Sequence, residues 1–388
     1  MTAADLLADP ALTPVLAALP SARLVGGPVR DMLAGLPVAD IDLATPEPPE
    51  ITLAALERAG LRVVPTGIAH GTVTAISDGK PFEITTLRRD VATDGRHATV
   101  AWTDDWQQDA ARRDFTINAM SLDQAGHLHD YFGGRDDLAA GHVRFVGDAA
   151  ARVAEDYLRI LRFFRFWARF GSGAPDPQAI AAIEAGISGM AILSVERVWQ
   201  ELKRILAAPD PTEAARLMAE LGVLRAVLPE GTDPERLAAL ISAGAPSDPL
   251  LRLAALLTGD VDAVAARLKF STAEQVRLAA LRQGPTPLPG DSDDELRRHL
   301  ADEEGVVLED RTWLAGGVGS QWDGLRARIT SMPRPVFPLE GRDALALGAA
   351  PGPAVGAALR QVRAWWLAHG CTPDHEACLE ALRQALGP

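Results

Sequence analysis

Three observations predict an α+β chain in which a small mixed sheet near the N terminus gives way to helices. Leu61–Pro65, His70–Ser77 and Pro81–Leu87 are strand-like runs, the last two joined by the hairpin signal Asp78-Gly79-Lys80. After residue 206 such runs stop. Apolar stripes at helical spacing take over, separated by Gly/Pro breaks such as GPTPLPGDSDD at Gly284–Asp294. At 388 residues the chain exceeds one ordinary core, so two or more packed units are expected.

An apolar fraction of 47% with 23% charged residues is ordinary for a globular protein. Asp5 and Asp9 leave no basic leader ahead of an apolar segment, and no run suits a bilayer span. Two cysteines point to a reducing compartment, the cytoplasm. The net charge of −14 excludes a generally basic nucleic-acid binder, so an RNA function requires positive charge gathered in one place.

In chain order, residues 2–20 read as a short amphipathic helix and Arg23–Val25 as a strand. The strand enters the stretch around which the rest is organised, LVGGPVRDMLAGLPVADIDLAT at Leu24–Thr45. Gly26 and Gly27 let the backbone turn tightly and approach a ligand, and Pro28 suits a first helical turn. The amides of that helix start form a seat for phosphate, with Arg30 beside them. Asp40 and Asp42 lie two apart in an extended run, so both carboxylates face one way, and paired hard oxygens suit Mg²⁺. The combination reads as a metal-dependent site acting on a nucleoside triphosphate.

Pro48–Gly60 has helical spacing, and Glu83 sits among apolar and β-branched neighbours on its strand. Leu87–Asp105 has no clear period and reads as a long loop. In Ala111–Ala119 (ARRDFTINA), Arg112, Arg113, Asp114 and Asn118 crowd a segment that turns buried, with Asp114 a candidate helix cap.

Asp148–Phe170 reads as one helix with Arg152, Arg159, Arg162, Arg165 and Arg169 along one side. Asp156 lies at the edge of that stripe, one turn from Arg159. Cytosine and adenine both offer an exocyclic amine beside a ring-nitrogen acceptor. Asp156 can accept from the amine while Arg159 donates to the ring nitrogen. Uracil and guanine present a carbonyl to a carboxylate that cannot donate, which discriminates against them.

Ser194 with Glu196 and Arg197, Asp210–Glu213 and Ser271–Glu274 are helix starts. Cys371, His375 and Cys378 lack a fourth zinc ligand and read as a helix start with reduced thiols.

The Gly-Gly turn with Asp-x-Asp, RRDFTINA, the Asp130–Gly134 turn and EDYLRILR resemble the polymerase-β-like nucleotidyltransferases. Within them they are most similar to the CCA tRNA nucleotidyltransferase and poly(A) polymerase family, and the likeness is strongest over residues 24–206. The resemblance implies a nucleotidyltransferase head at 1–145, a helical neck with the base-reading helix at 146–206, and a helical body and tail binding tRNA at 207–388. It implies metal ions on Asp40 and Asp42, with Glu83 as a third acid. Gly26, Gly27, Arg30 and Arg113 would hold phosphates, and Asp156, Arg159, Arg162 and Arg165 would contact the incoming nucleotide. It further implies that the 87–105 loop positions the priming end, and that SVERVWQELK braces the base-reading helix. The expected reaction is template-independent addition of CMP and AMP to the 3′ end of tRNA, from CTP and ATP with Mg²⁺. Neither membrane nor DNA is an expected partner. A poly(A) polymerase and a non-catalytic RNA-binding module are the alternatives.

Overall fold

The computed structural model describes residues 2–93 and 98–387, in two compact units, Met1–Val227 and Leu228–Pro388. The first unit carries a seven-stranded sheet in the order β3-β4-β5-β2-β1-β8-β9. Its strands are β1 (Arg23–Val25), β2 (Asp42–Thr45), β3 (Arg62–Gly67), β4 (Thr72–Ser77), β5 (Lys80–Thr86), β8 (Met120–Leu122) and β9 (Leu128–Asp130). Between β5 and β8, strands β6 (Arg88–Thr93) and β7 (Ala98–Trp102) pair as a separate two-stranded sheet.

The β4–β5 hairpin forms where Asp78-Gly79-Lys80 predicts it. Asp78 and Gly79 have φ of 49° and 73°, the positive pair that a two-residue hairpin turn requires. The sheet is mixed, as expected, because β2 runs parallel to β5 while its other pairings are antiparallel. Leu24, Leu43, Val73, Ala75, Phe82 and Ile84 fill the core beneath it and close on Leu12, Val15 and Leu56.

Three expectations need correction. Residues 2–20 form two helices, Ala3–Leu7 and Thr13–Ala18, with Asp9 accepting the Ala11 and Thr13 N–H groups at the break. Leu87–Asp105 holds the β6–β7 hairpin, and residues 94–97 of that span lie outside the described residues. Asp148–Phe170 is two helices, Ala149–Glu155 and Leu158–Phe170, broken at Asp156.

The second unit is helical from Pro234 to Leu386. Ser271 and Ser292 open two of its helices with complete capping boxes to Glu274 and Glu295. Arg326 lies over the Trp313 ring at 3.4 Å, and Trp366, Cys378 and Leu382 centre the terminal helix pair. Cys371 and Cys378 are free thiols. No helix among the described residues is long and apolar enough to cross a membrane.

Candidate active site

Gly26 ends β1 with φ +72°, a conformation open to glycine and strained for other residues. A Cβ there would meet Arg113 Nη1 at 2.7 Å, so the missing side chain also makes room for a guanidinium. The short helix Gly27–Leu33 carries Arg30, whose Nη1 donates to Asn118 Oδ1 at 2.6 Å and whose Nε and Nη2 donate to Asp31. Its guanidinium also lies over the Phe166 and Phe170 rings, 5.1 and 4.7 Å from their centroids.

Asp42 opens β2, and its cross-strand neighbour on β5 is Glu83, so the parallel register puts both carboxylates on one face. Asp40 lies just before the strand. Among the described residues, no hydrogen bond or ion pair reaches these three carboxylates. The Asp42 carboxyl is pushed above its ordinary value by desolvation in the concave site, then by Glu83 and Asp40, with Arg113 opposing. Although Asp42 is solvent-accessible, it sits low enough between the walls to lose part of its hydration. No three acidic, histidine or cysteine side chains among the described residues converge tightly enough to enclose an ion on their own.

The ARRDFTINA segment supplies the opposite wall. Arg113 donates to the Asn118 carbonyl and to Asp109, both at 3.3 Å, and burial pushes its pKa below the ordinary arginine value. Asp114 caps no helix. It accepts from the Phe115 N–H and from Asn118 Nδ2, and takes Arg162 Nε at 2.7 Å. Burial raises the Asp114 carboxyl, but Arg162 and these hydrogen bonds outweigh it and hold it below the usual range.

The break at Asp156 re-aims its side chain. With φ −157° and ψ 106°, Asp156 leaves the helical path, and its carboxylate accepts the Leu158 N–H at 3.0 Å and Arg197 Nη2 at 2.5 Å. Arg159 bonds instead to Glu155, at 2.5 Å, and to the Arg152 carbonyl, at 2.8 Å. The two expected base readers are therefore held by separate partners. Arg162 and Arg165 both reach Glu201, a buried carboxylate on the helix Val195–Leu206 that Arg204 also pairs with. Burial lowers Arg165 to about 10. Phe166 lies beneath Arg30, Arg162 and Arg165 as a common apolar floor.

A cleft of about 520 Å³ gathers most of the expected residues: Gly26, Gly27, Arg30, Asp42, Arg113, Asp156, Arg159, Arg162 and Arg165. Asp40 lines an adjoining cavity of about 570 Å³ that shares Arg30, Asp42, Arg162 and Arg165 with the first. Glu83 stands beside Asp42 but borders neither space. The cleft also includes Arg112, Asp114, Asn118, Phe166 and Arg197, which the sequence reading did not assign to the site. Asp114 and Asn118 were within reach of that reading, as polar groups in a run that turns buried. Phe166 was within reach too, one turn from Arg162 on the arginine side of its helix, but it was passed over as an apolar residue in a basic stripe.

Residues 22–144 match the family described as Poly A polymerase head domain, and residues 174–233 the one described as Probable RNA and SrmB- binding site of polymerase A. The chain is 38% identical over 381 residues to the mitochondrial CCA tRNA nucleotidyltransferase 1 of Danio rerio, covering 94% of this chain and 87% of that protein. It is 37% identical over 211 residues to the CCA-adding enzyme of Geobacillus stearothermophilus, covering 54% and 50% of the two chains. The crystal structure of the Bacillus stearothermophilus CCA-adding enzyme in complex with CTP superposes with a TM-score of 0.76 at 26% identity, covering 96% of this chain and 97% of that one.

Proposed function

Because this chain belongs to the CCA tRNA nucleotidyltransferase family, we propose that its cleft seats CTP and ATP while CMP and AMP are joined to the 3′ end of tRNA. The reaction needs no nucleic-acid template. The observation that carries the reading is that Asp42, the phosphate seat at Gly26–Gly27, and the pair Asp156 and Arg159 border one space. A single bound nucleotide can then meet the reacting acid, the phosphate donors and the base readers together.

The enzyme depends on a divalent metal, and Mg²⁺ is the ion its donor set suits. Mg²⁺ takes one or two carboxylates together with substrate phosphates, in keeping with Asp40 and Asp42 having no partner and no closed cage forming among the described residues. Bound there, Mg²⁺ supplies activation of the terminal 3′-hydroxyl and charge neutralisation at the departing pyrophosphate. Glu83 extends the acidic face beside Asp42.

The protein's own groups do the rest. Gly26 and Gly27 admit the triphosphate to the backbone, and Arg30 and Arg113 balance its charge. Asp156 accepts from the exocyclic amine of cytosine or adenine, and Arg159 donates to the ring nitrogen. Their separate anchors, Arg197 and Glu155, hold both in place before the base arrives. Arg162 and Arg165 complete the nucleotide contacts. In-line displacement brings the acceptor hydroxyl from the side opposite the pyrophosphate. The adjoining cavity with Asp40, Arg169, Phe170 and Arg204 suits the end of an RNA strand there.

This reading keeps a catalytic head at residues 1–145, a neck at 146–206 and a tRNA-holding body and tail at 207–388. It takes the protein to act in the cytoplasm, which its free thiols suit. The test is incubation with tRNA ending before CCA, Mg²⁺ and labelled CTP or ATP. Addition of CC followed by one A supports the proposal. Long A tracts indicate a poly(A) polymerase, and no incorporation a binding module.

A further inference from the structure

Asp109 is 3% exposed, and the reaction described above makes no use of it. It lies in the first turn of the short helix Trp106–Ala111, which runs into the ARRDFTINA segment, and its carboxylate is crowded with donors. Oδ1 accepts from Arg112 Nε at 2.8 Å and from the Arg88 backbone N–H at 3.3 Å. Oδ2 accepts from Arg113 Nη2 at 3.3 Å. Arg112 and Arg113 both line the nucleotide cleft, whereas Arg88 is the first residue of β6.

The β6–β7 hairpin is fastened at its base. Thr103 N–H donates to the Leu87 carbonyl at 3.0 Å, and Arg88 Nη1 donates to the His70 carbonyl at 2.9 Å. Trp102 packs on Gly71, where a Cβ would lie 2.6 Å from its ring. The Arg88 N–H bond to Asp109 joins this base to the arginines of the cleft.

We infer that Asp109 is a positioning residue that aims Arg112 and Arg113 at the incoming triphosphate and passes nucleotide binding on to the base of the β6–β7 hairpin. One carboxylate shared by several donors makes their strengths interdependent. When a triphosphate takes up the charge of Arg113, Asp109 loses part of its positive surroundings. It then accepts more strongly from the donors that remain, the Arg88 N–H among them. The coupling is reciprocal, so a hairpin that holds Arg88 in place favours the aimed state of Arg113.

The inference rests on the nucleotide-binding reading, and its test keeps the two apart. Hydrogen exchange at Arg88 in the full-length wild type is followed with Mg²⁺ and CTP but no tRNA. Slower exchange with CTP is expected, and unchanged exchange despite saturating CTP overturns the coupling. Failure to bind CTP at all sinks the nucleotide reading itself. In Asp109→Asn, the KM for CTP and ATP should rise by about tenfold or more, as for loss of one charge-assisted hydrogen bond. The KM for tRNA should hold and kcat should change far less. The CTP effect on Arg88 should vanish. A variant that melts earlier yet keeps its nucleotide KM within twofold shows Asp109 to be a structural staple only. If Asp109→Asn does not fold, the wild-type exchange measurement still decides.

Discussion

Asp114 and Arg162 stand 48 residues apart in the chain, and the carboxylate of the first takes the Nε–H of the second at 2.7 Å. Asp114 also holds Asn118, which receives Arg30, while Arg162 reaches Glu201. A continuous run of polar contacts thus links the phosphate seat to the base-reading helix. Asp114→Ala takes from Arg162 its closest partner, leaving it the longer contact to Glu201, and should cost about 3 kcal/mol of unfolding free energy. Urea denaturation measures this, and a loss below 1 kcal/mol shows the link to be energetically idle.

Asp42→Ala removes a carboxylate that only a cation or substrate would partner. Turnover should fall by roughly 10³-fold or more, on the scale of lost metal-ion catalysis, while tRNA binding holds. Single-turnover incorporation beside a filter-binding titration separates the two, and near-normal incorporation refutes the assignment.

Asp156→Asn turns an acceptor-only group into one that can also donate an N–H to a carbonyl. Preference for CTP over UTP should shrink by about 10²-fold, since a buried unpaired polar group costs up to about 3 kcal/mol. Competition between the two nucleotides for the same tRNA reads this out, and undiminished preference removes Asp156 from base selection.

Gly26→Ala places a methyl group 2.7 Å from Arg113 Nη1 and forces a residue with a side chain into φ +72°. Both stability and CTP affinity should drop, each by about 1–3 kcal/mol. Calorimetric CTP titration of the folded variant tests the second effect, and wild-type affinity would count against the phosphate seat.

In the second unit, burial raises Asp310 to about 6, although Arg277 donates to it at 2.9 Å and pulls the other way. A carboxyl whose folded pKa exceeds its unfolded value binds extra protons when folded. Its contribution to stability is therefore present below about pH 4 and lost as the pH climbs to about 6. Asp310→Asn should gain on the wild type across that window, by no more than about 3 kcal/mol. Arg277 keeps Asp248 as partner in the variant. Melting curves at pH 4.5 and 7.5 decide it, and a variant that loses ground with rising pH reverses the sign.

Five of the sheet's seven strands were legible in the sequence because their signals are local: the Asp-Gly turn, the period of two and the glycines at Leu24–Gly27. β8 and β9, three residues each, are too short to show a period. Most of the cleft was legible because its residues cluster in short motifs. The break at Asp156 escaped notice because no proline or glycine marks it. Its cause is the aspartate itself, whose side chain takes the Leu158 N–H and competes with the helix. An acid inside a strongly periodic run was the available signal. The β6–β7 hairpin was read as loop because its pairing bulges between Asp90 and Ala92, which shifts the alternation mid-strand. The partners of Arg162 and Arg165 lie too far along the chain for spacing to reveal.

Around Glu201 and Asp114, three guanidiniums (Arg162, Arg165 and Arg204) meet only two carboxylates. In a molecule carrying fourteen excess negative charges, this local surplus of cation gives the cleft a sign opposite to that of the chain's net charge. The end of a polyanion that reaches the cleft therefore meets attraction there. Acidity elsewhere in the chain leaves this attraction local, and raising the ionic strength should weaken it.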